Sequence, residues 1–348
     1  MEILNFRSDT QTLPTEEMLD AMRNAPLGDD TYGEDPTVAR LEKLAAQKVG
    51  KQAALFVASG TMGNLIALMT HSSGLGEALL VDPTAHIFCN EGGGLASVAG
   101  FFPLPVPSDN GLFDPHILAN TIRKPDIHYA TPRLLCLENS HNRSGGRVTA
   151  LDLHKQLCDV AREHGLAVHL DGARIFNAAI AAGVPASEYA AEVDSIQFCL
   201  SKGLSCPVGS ILAGSDEFIE RARFHRKRIG GGMRQAGVIA AAGIVALEKM
   251  IDRLAEDNAN ARLLAEGLNT IPGLCVNMEI AQTNIINIDH TRAGLSTEEI
   301  IAKLADVGVM VSPRAPKAIR MVTCRHTGED EVEEAVGRVR RALDKSAA

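Results

Sequence analysis

Between residues 52 and 214 short, unbroken apolar runs alternate with segments whose apolar positions recur every three or four residues. The runs at 53–57, 78–81, 134–137, 166–170, 195–200 and 209–213 are continuous rather than alternating, which predicts strands covered on both faces. Strands of that kind interleaved with helices predict an α/β fold, a mainly parallel sheet flanked by helices. The helices carry their own punctuation. Asp35 and Pro36 supply an N-cap and a first-turn proline ahead of Val38, Leu41, Ala45 and Val49, and Gly50 follows as a stop. A second helix, 151–164, ends at Gly165, a suitable C-cap. The small-residue run 236–247, bounded by Arg234 and Glu248, is too short to cross a bilayer and predicts a buried helix packed closely through Gly237 and Gly243.

Beyond residue 252 the pattern changes to a helix, a strand near 284–288, a helix opened by the Ser296/Glu299 capping box, a strand at 319–322 and a last helix. This predicts a large catalytic domain over 14–250 and a small C-terminal α/β domain over 251–348, joined through the long helix after Gly232. Residues 1–13 have no core of their own and are expected to pack near the active site.

Composition narrows the function classes. With 22% charged and 45% apolar residues the chain fits neither the disordered nor the membrane class. A net charge of −9 argues against a nucleic-acid partner, since phosphates would be repelled. The one short basic cluster, 221–228, reads as an exposed helix face. Seven scattered cysteines without paired spacing predict reduced thiols and no metal site, and the start lacks a signal-peptide pattern, so a cytoplasmic location is expected.

Candidate chemistry begins at Lys202, which follows an apolar run that should lie inside a sheet. A charged lysine there needs a carboxylate partner, a lowered pKa or conversion to an imine. A lone strand-end lysine ordinarily reaches out to water. Asp171 changes the balance, because it ends the run 166–170, and strand carboxyl ends in open α/β sheets are where ligands bind. An acid beside such a lysine matches the partner that keeps the pyridine nitrogen of pyridoxal phosphate (PLP) protonated. The segment Ala-Ser-Gly-Thr-Met-Gly-Asn, 58–64, lies between a strand and a helix, where free backbone N–H groups can hold a phosphate. No nucleotide-binding glycine motif competes with this reading.

The motifs together resemble the L-threonine aldolases of the aspartate aminotransferase fold, fold type I of the PLP enzymes, nearly end to end. They are Arg-Ser-Asp-Thr (7–10), Gly-Asp-Asp-Thr-Tyr-Gly-Glu-Asp-Pro (28–36), Ser-Gly-Thr-Met-Gly-Asn (59–64) and Leu-Glu-Asn-Ser-His-Asn (137–142). His-Leu-Asp-Gly-Ala-Arg-Ile-Phe-Asn (169–177), Cys-Leu-Ser-Lys-Gly-Leu (199–204) and Gly-Gly-Gly-Met-Arg-Gln (230–235) continue the series. The resemblance implies a seven-stranded sheet in the large PLP-binding domain. It implies that Lys202 holds PLP as a Schiff base, that Asp171 binds the pyridine nitrogen, and that Gly60, Thr61 and Ser201 hold the phosphate, with Arg234 reaching it from a neighbouring subunit of a homotetramer built as a dimer of dimers. By the same resemblance His86 lies against the ring, Ser8, Arg174 and Arg320 bind the substrate carboxylate, with Arg174 also among the cofactor contacts, and Tyr32 and His128 line the pocket. Asn90 stands where relatives often carry an aromatic residue, which bears on the preferred β-substituent.

The implied reaction is reversible cleavage of L-threonine, L-allo-threonine and other L-β-hydroxy-α-amino acids to glycine and an aldehyde, with His86 or His128 removing the β-hydroxyl proton. Two rivals use the same anchoring, an aminotransferase and a β-eliminating lyase. A non-catalytic ligand-sensing module is a third, disfavoured by the acidic charge and by the absence of a DNA-binding pattern ahead of the fold.

Overall fold

The structure is a computed structural model and describes residues 2–124 and 126–344. Seven strands build the main sheet: β1 (Ala53–Val57), β2 (Glu77–Val81), β3 (Phe102–Pro105), β4 (Thr131–Glu138), β5 (Ala167–Asp171), β6 (Ser195–Cys199) and β7 (Ser210–Gly214). Their order is β1-β7-β6-β5-β4-β2-β3. Only β7 runs against its neighbours. The six apolar runs picked out in the sequence are all strands, whereas β3 carries no comparable run. It reads Phe-Pro-Leu-Pro, and two prolines are tolerated because it is an edge strand that needs ladder donors on one side only.

Helices cover both faces. In α1 (Pro36–Val49) the Asp35 carboxylate accepts from the backbone N–H groups of Thr37 and Val38, both at 3.0 Å, and Gly50 closes the helix at φ 66°. The other oxygen of Asp35 takes the N–H of Gly237, at 2.9 Å. A Cβ on Gly237 would lie 2.4 Å from the carboxylate, so only glycine fits. After α2 (Gly60–His71), α3 (Leu151–Glu163) and α4 (Asp216–Arg228) comes α5 (Gly237–Lys249), which is buried almost all round. Gly243 lets it approach Leu41 of α1 so closely that a Cβ would stand 2.9 Å from the leucine methyls.

The basic cluster is an exposed face only in part: Arg221, Lys227 and Arg228 are exposed as read, but two arginines turn toward acids. Arg226 is buried on α4, its guanidinium 2.8 Å from Asp30 and bonded to the Phe56 carbonyl, and Arg223 pairs with Glu42. Alternation with apolar residues placed these arginines on a solvated surface. Acids distant in sequence draw them inward instead.

α6 (Leu254–Asn269) carries the chain out of the large core. Leu254 packs with the main-sheet core, and Ala261, Leu264, Ala265 and Leu268 pack in a second one. The crossing therefore falls one helix later than the sequence suggests, because α5 is apolar on every side and stays inside the first core. The second core lies on a four-stranded antiparallel sheet of β8 (Cys275–Val276), β9 (Ile285–Asp289), β10 (Ser312–Ala315) and β11 (Ala318–Val322), in the order β8-β9-β11-β10, with α7 (Thr297–Asp306) and α8 (Glu329–Leu343). The amino-terminal segment joins this part. Leu4 and Asn5 pair in parallel with Val309 and Met310, and Leu4 and Phe6 are buried in the second core, which aims residues 8–13 at the carboxyl ends of the main-sheet strands.

Asp35 ties two helices through one carboxylate. Asp35→Ala is expected to cost about 2–4 kcal/mol, the sum of a lost cap and stranded buried donors, and Asp35→Asn less. The check is the urea midpoint of the PLP-loaded protein.

Candidate active site

Three segments meet at the carboxyl ends of β1, β5 and β6. At the start of α2 the Ser59 hydroxyl accepts from the Met62 N–H at 3.2 Å, and the first two helical residues are Gly60 and the exposed Thr61. Their N–H groups belong to the first turn, which has no partners inside the helix. Gly60 is required for contact with β6, since a Cβ would lie 2.8 Å from Cys199 Sγ. Just past β6 come Ser201 and Lys202, both half-buried. The Lys202 carbonyl accepts from Thr12 Oγ1 at 2.8 Å, and among the described residues no hydrogen bond or ion pair engages its ammonium.

Asp171 is 2% exposed. One carboxylate oxygen accepts from the Ala173 N–H at 3.1 Å and the other from Asn64 Nδ2 at 2.9 Å. Among the described residues no basic nitrogen lies within ion-pair distance of it. An isolated buried carboxylate costs several kcal/mol unless a cation joins it. A protonated pyridine nitrogen is such a cation, the α2 amino terminus suits a phosphate, and Lys202 offers a free amine. The residues therefore fit PLP.

His86 stands beside Asp171. Its Nδ1 is 2.8 Å from Glu91 Oε1, and Glu91 also accepts from Asn64 Nδ2 at 2.9 Å. The bond to Glu91 raises the imidazole pKa above its usual value, against the opposing effect of burial, with Asp171 adding to the rise. Glu138, opposite Asp171 in the β4–β5 register, accepts from the His86 backbone N–H at 2.6 Å and from that of Asn142 at 2.8 Å. Burial and the facing Asp171 carboxylate push its pKa up.

At the substrate end, Arg174 is buried and grips Asp9 through Nε at 2.7 Å and Nη2 at 2.6 Å, which leaves Nη1 without an acceptor among the described residues. Asn284 supports Asp9 at 3.0 Å. Arg320 on β11 donates to the Asn142 side chain at 3.0 Å and to the Arg7 carbonyl at 3.2 Å, both neutral acceptors. Within the described residues no carboxylate lies within ion-pair distance of it, and Asp9 acts on it only from further off. Ser8, Thr10, His86, Asn90, Glu138, Asn142, Asp171, Arg174, Lys202 and Arg320 line one cavity of about 240 Å³.

Six of the expected site residues are not among those that line this cavity: Gly60, Thr61 and Ser201 stand at the start of α2 and just past β6, and Tyr32, Arg234 and His128 lie elsewhere on the chain. Tyr32 is 74% exposed beside a separate hollow of about 400 Å³ with Arg223, Arg226 and Lys227. Arg234 is exposed and paired with Asp29 at 3.1 Å. His128 is exposed in the loop before β4, its N–H bonded to Asp126. Conversely, Asp9, Asn64, Glu138, Asn142 and His169 lie in the motifs that carry the resemblance but were given no role from the sequence, and the fold brings them to the site or directly behind it. His169 also had a local geometric signal, two residues before Asp171 on one strand and hence on the same face.

Residues 5–291 match the beta-eliminating lyase family. The chain belongs to that family. Within it, the chain is 43% identical over 334 residues to the probable low-specificity L-threonine aldolase 2 of Arabidopsis thaliana, covering 95% of this chain and 94% of that one. It is 40% identical over 342 residues to the low specificity L-threonine aldolase of Escherichia coli (strain K12), covering 98% and 99%. Among solved structures, a putative L-allo-threonine aldolase from Listeria monocytogenes superposes with a TM-score of 0.80 at 25% identity, covering 94% and 92%. A threonine aldolase of Leishmania major gives 0.83 at 21%, covering 98% and 99%, a likeness of fold.

The Asp9–Arg174 pair couples the amino-terminal segment to the pocket. Asp9→Ala leaves a buried guanidinium unbalanced and is expected to destabilise the protein by about 3–5 kcal/mol. A lowered thermal midpoint and a raised KM for the amino acid are the two measurements.

Proposed function

We propose that this protein is a low-specificity L-threonine aldolase, which cleaves L-threonine, L-allo-threonine and related L-β-hydroxy-α-amino acids reversibly to glycine and an aldehyde with the help of PLP. The observation that carries the reading is a single cavity holding three charged groups that make no ion pair among the described residues: the Asp171 carboxylate, the Lys202 ammonium and the Arg320 guanidinium. The relatives, 40–43% identical over nearly the whole chain, select the reaction.

PLP, when bound, draws off the electrons released as the Cα–Cβ bond breaks. Lys202 would hold its carbonyl carbon and give way to the substrate amine. Gly60, Thr61 and Ser201 would hold the phosphate, and Asp171 the ring nitrogen. Arg320, with Ser8 and the Nη1 of Arg174, would clamp the substrate carboxylate and so fix which bond at Cα is aligned for cleavage. His86 is the base of choice within the chain: Glu91 holds Nδ1, which leaves Nε2 to take the β-hydroxyl proton. The aldehyde then departs and Cα takes up a proton to give glycine. His128, Tyr32 and Arg234 sit on the surface and fit a role at a shared site in a homotetramer, where each would serve a neighbouring pocket. The seven free thiols suit a cytoplasmic setting, and among the described residues no helix is long and apolar enough to cross a membrane.

The first test incubates the PLP-loaded protein separately with L-threonine and L-allo-threonine and follows glycine and acetaldehyde. Release of a 2-oxo acid would point to an aminotransferase, and ammonia to a β-eliminating lyase. Lys202→Ala is expected to abolish turnover together with the visible absorption of the bound cofactor; full threonine cleavage by this variant would overturn the assignment.

The raised pKa of His86 sets the pH dependence. A base must be unprotonated, so kcat/KM should climb as pH passes the elevated His86 value, above the ordinary 6.5. Glu91→Gln removes the carboxylate that stabilises the imidazolium. The ascending limb should then move to lower pH, and a limb that stays in place would exclude His86 as the titrating base.

A further inference from the structure

Behind Asp171 a line of polar side chains runs through the interior between the main sheet and α2. His71 Nε2 lies 2.7 Å from Ser195 Oγ, and Ser195 Oγ lies 2.8 Å from His169 Nδ1. His169 Nε2 is 3.1 Å from Asn64 Oδ1, and Asn64 Nδ2 is 2.9 Å from both Asp171 Oδ2 and Glu91 Oε1. The sequence assembles this line simply. His169 and Asp171 are alternate residues of β5, Ser195 faces His169 in the β5–β6 register, and Asn64 and His71 stand two turns apart on α2.

The direction of every hydrogen bond follows from the carboxylate end. Asn64 cannot turn its carbonyl oxygen toward two carboxylates, so its amide donates to both and its oxygen must accept from His169 Nε2–H. That tautomer leaves His169 Nδ1 as an acceptor, filled by the Ser195 hydroxyl. Ser195 Oγ in turn accepts from His71 Nε2–H. Each link forces the next, and every donor points toward Asp171 and Glu91. Both imidazoles are neutral, since burial lowers the pKa of His71 to about 3 and that of His169 to about 4.

A purely structural network would only need its own polar groups satisfied. This one begins at a half-buried histidine, spends all its donors in one direction, and ends on the acid assigned to the ring nitrogen and the acid paired with His86. We propose that the His71–Ser195–His169–Asn64 chain sets the charge state of the bound cofactor. By donating into Asp171 it holds that carboxylate aimed at the ring nitrogen, and through the shared Asn64 amide it locks Asp171 to the Glu91–His86 pair. Asn64, His169 and Ser195 are thus positioning residues, which do not touch the substrate. The inference rests on the assignment of Asp171 to the ring nitrogen.

The test uses holoenzyme reconstituted with PLP carrying ¹⁵N at the ring nitrogen, whose NMR resonance separates pyridinium from free pyridine, read at one mildly alkaline pH beside the PLP dissociation constant. The wild type should show pyridinium. His169→Leu should move the resonance toward free pyridine and weaken PLP binding by about tenfold. His169→Gln, whose amide can still donate to Asn64, should restore both, which a space-filling role would not require. Ser195→Ala should give a smaller move in the same direction, and it decides the matter if His169→Leu fails to fold. Unmoved resonances in the folded His169→Leu or, failing that, in Ser195→Ala would overturn the proposal. Asp171→Asn is the control: if it too keeps the pyridinium signal, the assignment of Asp171 is at fault rather than the chain behind it.

Discussion

A buried carboxylate without a cation is the constraint around which this structure is arranged. Asp171 sits at the carboxyl end of β5, almost fully out of water, with one backbone N–H and one side-chain amide as its donors. Neutral donors soften the cost of an ionised acid in the interior but do not remove it. The position is stable because the fold around it is heavily cross-linked: β5 is central in the sheet and anchored in the main core, and α2 lies over it, held by Ile66, Ala67, Leu68 and Met69 in two flanking clusters. What the scaffold leaves unanswered at this point is the positive charge that a ligand brings.

The opposite charge is handled in two ways at the substrate end. Arg174 is neutralised within the chain by Asp9, a residue of the amino-terminal segment. Arg320 is left with neutral acceptors, and burial together with Arg174 lowers its pKa. One guanidinium is therefore held rigidly with only Nη1 open, and the other awaits a carboxylate. The two come from different parts of the fold, Arg174 from the end of β5 and Arg320 from β11 of the small sheet. The segment carrying Asp9 is held by pairing with Val309 and Met310. Formation of the pocket thus depends on how the small sheet and the first residues of the chain pack against the large core.

Asn64 shows how little room such a site leaves. One amide group serves two carboxylates and one imidazole. Its neighbours Gly60 and Gly63 are glycines because any Cβ would press on Cys199 or Gln197 from β6. The helix start is thereby pressed onto the strand ends, and the same closeness that brings its N–H groups to the proposed phosphate position brings Asn64 to Asp171.

The main-sheet strands were legible because a strand covered on both faces must be apolar throughout, and the helices α1, α3 and α7 because their caps are local chemistry. Lys202 and Asp171 stood out by the same logic, as charged residues at the ends of apolar runs. The edge strand β3 escaped, since prolines hide a strand whose outer side needs no donors. So did the inward turn of Arg226, whose partner Asp30 is remote in sequence. Asp9, Glu138 and Asn64 lie in the recognisable motifs, but their roles were not legible there; they act through a pairing across the β4–β5 register or between segments far apart in the chain. Sequence by itself determined the elements and the residues whose charge conflicts with their local surroundings, because both are set by neighbours a few positions away. The tertiary structure alone decided which charges are answered and which are left open for a ligand, because that depends on distances between residues that only folding brings together.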